Sequence, residues 1–227
     1  MKFQYFNLET CHEATGLVVV IDVIRAFTNA AFVFSRGAKE IYPVKGVEEA
    51  LTLKAEIPNS LACGEVGGLP PEGFDFGNSP TQTSLLDLTG KIIIQRTGAG
   101  TQGIVRSVKA DRMVAASFVV AQATFNYILK MSPDTVAFVI TGQTYDGGEE
   151  DLACAEYLQA AMLGTSADPF PYLERAKRSR DASVFYDPHL PEFPSKDIEQ
   201  CTSLDKFNFA MPVTRENGLH VMRAVQP

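Results

Sequence analysis

Short β-branched and apolar runs recur along the chain, and each is followed by a segment whose apolar residues return at helical spacing, the pattern of successive β-α units. Strands are expected at about 17–22 (LVVVID), 39–44, 60–63, 91–95, 111–116 and 135–140 (TVAFVI). Helices are expected near 25–36, 47–57, 80–87, 101–109, 119–131 and 149–163. The runs at 17–21 and 136–140 are almost continuously apolar, so both of their faces must be covered, as in a central sheet with helices on either side. The pattern predicts an α/β protein with a three-layer α/β/α core and a mostly parallel or mixed central sheet.

After Leu163 the pattern changes: prolines at 169, 171, 188, 191 and 194 surround a helical stretch near 167–178. Strand-like alternation returns at 207–213 and 219–225, with Asn217-Gly218 between them, so a C-terminal β-hairpin is expected. Residues 1–164 should then form the α/β core that carries any strand-end site. Residues 165–227 should form an extension packed on that core or completing it.

Composition narrows the possibilities. With 227 residues, 45% hydrophobic and 21% charged, the chain can bury a core without staples. A formal charge of -7 argues against a nucleic-acid partner, which would need a basic face. Cys11, Cys63, Cys154 and Cys201 form no C-x-x-C pair, so neither a zinc site nor a redox motif is suggested, and free thiols in a cytoplasmic protein fit best. The apolar run from Gly16 to Ile21 is too short to span a bilayer and lacks the flanks of a signal peptide.

Chemistry gathers where the expected strands end, which in an open α/β sheet is where ligands bind. Asp22, Arg25 and Thr28 follow the first of these strands, and Gly64-Glu65 follows the third. Gly77-Asn78-Ser79-Pro80 opens a helix whose free N–H groups suit an anion. Arg96-Thr97-Gly-Ala-Gly100-Thr101 is a glycine loop, and Gly142 through Gly148 leads into Glu149, Glu150 and Asp151. Singly, each has an ordinary structural role: Asp22 as a helix cap, Ser79-Pro80 as a helix start, the arginines as ion-pair partners. Converging on one crevice, carboxylates suit Mg²⁺ and the arginines and helix starts suit a phosphate, which favours phosphoryl chemistry over hydride transfer. No dinucleotide fingerprint follows the first strand.

In order and spacing these motifs resemble the 2-phosphosulfolactate phosphatase (ComB) family almost end to end. They stand here as Asp22-Val-Ile-Arg25-Ala-Phe27-Thr28, Gly64-Glu65-Val66, Gly73-Phe-Asp-Phe-Gly-Asn-Ser-Pro80, Thr97-Gly-Ala99-Gly-Thr101 and Glu150-Asp151-Leu-Ala-Cys154-Ala155. The segment Asp197 to Thr202 and Met211-Pro212-Val213 resemble the family's tail. The chain departs from the family pattern at Phe27, Val66, Ala99 and Val120, where polar residues are usual, while the acids Asp22, Glu65, Glu150 and Asp151 are kept.

The resemblance implies a Mg²⁺-dependent hydrolysis of the phosphate ester of 2-phospho-3-sulfolactate, or of a related small phosphorylated or sulfonated acid, a step of coenzyme M biosynthesis. The expected catalytic set is Asp22, Arg25, Glu65 and Asp151. Metal ligands are expected among Asp22, Glu65, Glu150 and Asp151. Arg25 and the N–H groups after Ser79 and Gly100 would brace the phosphate, with Thr28, Asn78, Thr97 and Thr101 around it and Arg96 facing a carboxylate or sulfonate. A homodimer is left open. The alternative is a non-catalytic homologue that binds a small anion and acts through partner contacts.

Overall fold

A computed structural model describes residues 1–142, 148–165 and 168–227. The strands are β1 (Lys2–Asn7), β2 (Leu17–Ile21), β3 (Glu40–Pro43), β4 (Ser60–Gly64), β5 (Ile92–Arg96), β6 (Arg112–Ala116), β7 (Thr135–Ile140), β8 (Met211–Glu216) and β9 (Leu219–Met222). The helices are α1 (Ala26–Ser35), α2 (Val47–Glu56), α3 (Pro80–Thr83), α4 (Gly100–Arg106), α5 (Ala121–Met131), α6 (Glu149–Met162), α7 (Phe170–Lys177), α8 (Arg180–Ser183) and α9 (Lys196–Cys201). All described strands share one sheet in the order β1-β7-β2-β6-β8-β9-β3-β5-β4.

The alternation of side chains along β2 sets up the layers. Val18 and Val20 point into a core shared with Ala30, Val33 and Ile104 of α1 and α4. Leu17, Val19 and Ile21 point into an opposite core with Ile128, Cys154 and Leu158 of α5 and α6. Every residue of β2 is buried, and each aliphatic side chain removed from water contributes about 1.5–3 kcal/mol, which pins this strand at the centre of one half of the sheet.

That half, β1-β7-β2-β6, is parallel, as is the other half, β3-β5-β4. The hairpin β8–β9 joins them, antiparallel to β6 on one side and to β3 on the other. One row of paired residues, Met113–Val213–Met222–Ile41, crosses this junction. The hairpin turn places Asn217 at φ 50° and Gly218 at φ 83°, the positive values that a two-residue turn matching strand twist requires.

Three expectations need correction. The helix expected over 80–87 ends at Thr83, because the chain turns to hydrogen-bond the loop after α1 instead, Leu88 N–H to Arg36 O at 3.0 Å and Gly90 N–H to Gly37 O at 2.8 Å. The strand expected at 207–213 begins only at Met211, since Phe207 and Phe209 turn their rings edge-on to Phe32 and Phe34 of α1. The sequence pattern predicts no strand at β1, a half-exposed edge strand whose weak alternation gives little signal.

Candidate active site

The parallel strands end in a cavity of about 230 Å³ whose walls include Asp22, Glu65, Glu150, Asp151 and Asp181. Arg25, Asn78, Phe185 and Phe193 complete its working surface. A larger cleft of about 370 Å³ lies at the opposite, amino ends of β2 and β7, lined by Thr15, Asp111 and Arg112, and carries none of the acids singled out above.

Asp22 follows β2 and lies four residues before α1, so one residue serves two purposes. Its Oδ1 accepts the N–H of Ala26, the first residue of α1, at 2.8 Å, while the carboxyl lines the cavity at 5% exposure. Burial pushes its pKa up to about 6, against the pull of the Ala26 N–H, and nearby Glu65 pushes it further.

The two acids at the start of α6 part company. Asp151 commits both oxygens to backbone amides, Oδ1 to Val23 N–H at 2.7 Å and Oδ2 to Gly142 N–H at 2.7 Å, and so ties the ends of β2 and β7 together. Glu150 is 2% exposed, and its Oε2 has no hydrogen-bond partner among the described residues. Burial first, then Asp181 across the cavity, pushes Glu150 up to about 8. The Asp151 carboxyl is pushed upward by burial, then by Glu150 and Asp22.

Glu65 resembles Asp151 in use. One oxygen takes the Gly98 N–H and the other the Gly68 N–H at 2.8 Å, so the loop after β4 is clasped to the loop after β5. Arg96 donates to the Glu65 carbonyl at 2.6 Å, and its Nε is buried without a partner among the described residues.

Arg25 is held by four contacts. Its Nη1 meets Asp197 Oδ2 at 2.7 Å, its Nη2 donates to Gly68 O at 3.2 Å, and the guanidinium lies over the rings of Phe185 and Phe193. Asp197 also accepts from the Ser79 hydroxyl at 2.8 Å and the Thr81 N–H at 3.0 Å. An N–H after Ser79 that the sequence assigned to substrate phosphate is thus engaged by a carboxylate of this chain.

Among the other expected contacts, Asn78 lines the cavity at 6% exposure with its Oδ1 unpartnered among the described residues. Thr97 also lines it. Thr97 and Thr101 hydrogen-bond each other's backbone, closing the glycine loop. Thr28 is buried and donates to Val23 O at 2.8 Å, a bond within its own turn. Gly100 is needed because a Cβ there would stand 2.7 Å from Asp22 Oδ2. Of the glycine loop before α6, residues 143–147 lie outside the described residues.

Sequence reasoning missed Asp181, Phe185, Phe193 and Asp197, all contributed by the C-terminal extension. Ser179 capping the Ala182 N–H at 3.2 Å is the local signal that sets Asp181 at a helix start. Asp197 lies in the segment that resembles the family's tail, and nothing around it in sequence points to its partner 172 residues away.

Among the described residues no three His, Cys, Asp or Glu side chains close into a metal-ligand cluster. The donor set nonetheless fits a magnesium ion, which takes one or two carboxylates and keeps its waters. Buried carboxyl groups that raise one another's pKa, one with an oxygen left unpartnered, form a site deficient in positive charge.

A family model for 2-phosphosulpholactate phosphatase matches residues 5–216. The chain is 34% identical to a probable 2-phosphosulfolactate phosphatase of Bacillus subtilis, covering 91% of both chains. It is 40% identical to a protein of the same description from Carboxydothermus hydrogenoformans, over 83% of this chain and 82% of that one. A third, from Thermotoga petrophila, is 32% identical over 90% and 91%. No described helix is long and apolar enough to cross a membrane.

Proposed function

The chain belongs to the 2-phosphosulfolactate phosphatase family, and we propose that it hydrolyses the phosphate monoester of 2-phospho-3-sulfolactate or a closely related small acid, with Mg²⁺ as cofactor. The observation that supports this most is the charge inventory of the strand-end cavity. Among the described residues, five carboxyl-bearing side chains line it against one arginine, and that arginine is already paired with Asp197. A phosphate dianion entering such a cavity meets repulsion from every one of these groups that is ionised, and a cation offsets it. A site this rich in carboxyls therefore suits a phosphoester best together with a divalent metal.

Glu150, with its unpartnered oxygen, and Asp22 are the residues we assign to the ion. When bound, magnesium supplies charge neutralisation at the phosphoryl oxygens. Asp151 and Glu65 hold the walls through the amides they accept, so they shape the metal site instead of filling it. Arg25 presents directional N–H donors to the phosphoryl group, and Asn78 offers an amide to its other oxygens. Phe185 and Phe193 exclude water from the arginine side, which strengthens every polar contact made there. The four cysteines are buried and unpaired, in keeping with a reducing, cytoplasmic setting.

The test is phosphate release from 2-phospho-3-sulfolactate and from phospholactate. Turnover should require Mg²⁺, vanish with EDTA, and fall by at least a hundredfold in Asp22→Asn and in Glu150→Gln. Phosphate binding without turnover of any ester would instead favour the non-catalytic anion binder.

A further inference from the structure

The ion pair between Arg25 and Asp197 joins the first strand-end turn to the C-terminal extension, and both partners are buried, at 5% and 0% side-chain exposure. Neutralising a buried arginine requires only a carboxylate nearby. Here the carboxylate is itself oriented. Asp197 Oδ1 receives Ser79 Oγ at 2.8 Å and Thr81 N–H at 3.0 Å, which sets the plane of the group and leaves Oδ2 for Arg25 at 2.7 Å.

The guanidinium is then restrained by further contacts. Gly68 O accepts from Nη2 at 3.2 Å, and the centroids of Phe185 and Phe193 lie 4.9 and 5.4 Å from the guanidinium carbon. Gly68 has to be glycine for this packing, since a Cβ there would sit 2.5 Å from the Phe193 ring. A guanidinium carries five N–H donors, and Asp197 and Gly68 use two of them. The others remain on a fixed plane at the wall of the acid-lined cavity.

We propose that Asp197 is a positioning residue: held in place by Ser79 and Thr81, it fixes the Arg25 guanidinium so that its remaining N–H groups meet the phosphoryl oxygens of the substrate. This rests on the phosphatase reading above. Because the side chain is ordered before substrate arrives, binding loses no free energy in arranging it. Because Asp197 cancels its charge, Arg25 contributes direction more than attraction, and attraction falls to the metal. The active site is in this sense completed by α9, outside the α/β core to which the sequence assigned it.

The experiment is calorimetric titration of inorganic phosphate into the Mg²⁺-loaded protein, for wild type, Arg25→Ala, Asp197→Asn and the double variant, with thermal melts of each. Each single change should weaken phosphate binding at least tenfold, and the double variant should bind no more weakly than Arg25→Ala, since Asp197 acts only through the arginine. Independent, multiplying losses, or an Asp197→Asn protein that melts lower but binds phosphate as wild type does, would overturn the proposal and leave Asp197 a purely structural partner. If Asp197→Asn does not fold, Ser79→Ala carries the same test: its weaker loss must disappear in the Arg25→Ala background, and a loss that persists there overturns the proposal. Ester turnover by wild type is scored separately, so a protein that binds phosphate with this coupling but releases none removes the hydrolysis and supports the positioning.

Discussion

A methyl group on Gly100 would stand 2.7 Å from Asp22 Oδ2 and 2.7 Å from the Ala26 Cβ, so the glycine loop after β5 closes directly onto the acid after β2. The strand ends are therefore coupled in space: the loop cannot accept a side chain without moving the carboxyl group or the first turn of α1. Gly100→Ala should cost about 1–3 kcal/mol through overpacking. Its activity should fall much further, because the displaced group is the acid itself. A urea melt beside a phosphate-release assay separates the two effects, and full activity in a destabilised variant would show that Asp22 tolerates displacement.

Asp151 accepts two backbone N–H groups while its neighbour Glu150 has an oxygen without a partner among the described residues, and substitution should separate the metal-binding role proposed for Glu150 from the wall-holding role proposed for Asp151. Asp151→Asn turns one accepting oxygen into a donor facing the Val23 or Gly142 N–H, both now bonded at 2.7 Å. A buried donor set against a donor costs about 2–4 kcal/mol, counting the lost bond and the unsatisfied amide. Glu150→Gln removes a crowded buried carboxyl and should leave the melting temperature unchanged or raised, while abolishing turnover. Thermal melts of the two variants side by side check the assignment, and equal destabilisation would contradict it.

How much of this was legible beforehand follows from where the information lies. β2 and β7 could be read because both faces of each are buried and the runs are continuously apolar. Asp22, Glu65, Glu150 and Asp151 could be placed near one another because acids at strand ends converge in a parallel sheet. Their division of labour could not be read: Glu65 and Asp151 look like ligands in sequence, yet each accepts two backbone N–H groups whose positions only the fold supplies. Asp197 was hidden for the same reason, since nothing local to residues 197–202 announces Arg25 or Ser79. The hairpin was foreseen from Asn217-Gly218, but its place inside the sheet depends on long-range pairing with β6 and β3.

That placement makes the chain's tail part of its core. Met222 is fully buried and pairs with Val213 on one side and Ile41 on the other. Met222→Ala should cost about 2–5 kcal/mol, the usual range for emptying a core position. The denaturant slope should be unchanged and unfolding should stay in one step, because the two parallel halves lose their shared strand together. A biphasic urea melt would show that the halves fold independently.

Proton linkage at the site gives a final expectation in which the metal reverses the sign. In the metal-free protein, burial lifts Asp22 from 3.8 to about 6 and Glu150 from 4.5 to about 8. The folded state then holds protons that the unfolded chain has released, so each group's contribution is fully present below its unfolded pKa and is lost as pH rises through the folded value. Stability in EDTA should therefore fall between about pH 4 and pH 8, by a few kcal/mol, since each tenfold gain in proton affinity on folding corresponds to about 1.4 kcal/mol. Below that window an opposing loss sets in, since Arg223 and Thr214 hold Glu216 down to about 2 and that contribution disappears as the acid is protonated. The metal-free protein should thus melt highest near the acid end of this range. Saturating Mg²⁺ favours the ionised carboxylates, so its stabilisation should be small at pH 5 and grow towards pH 8.5. Melting curves across pH with and without Mg²⁺ measure this directly, and a Mg²⁺ effect independent of pH would show that these acids are not the ones the ion meets.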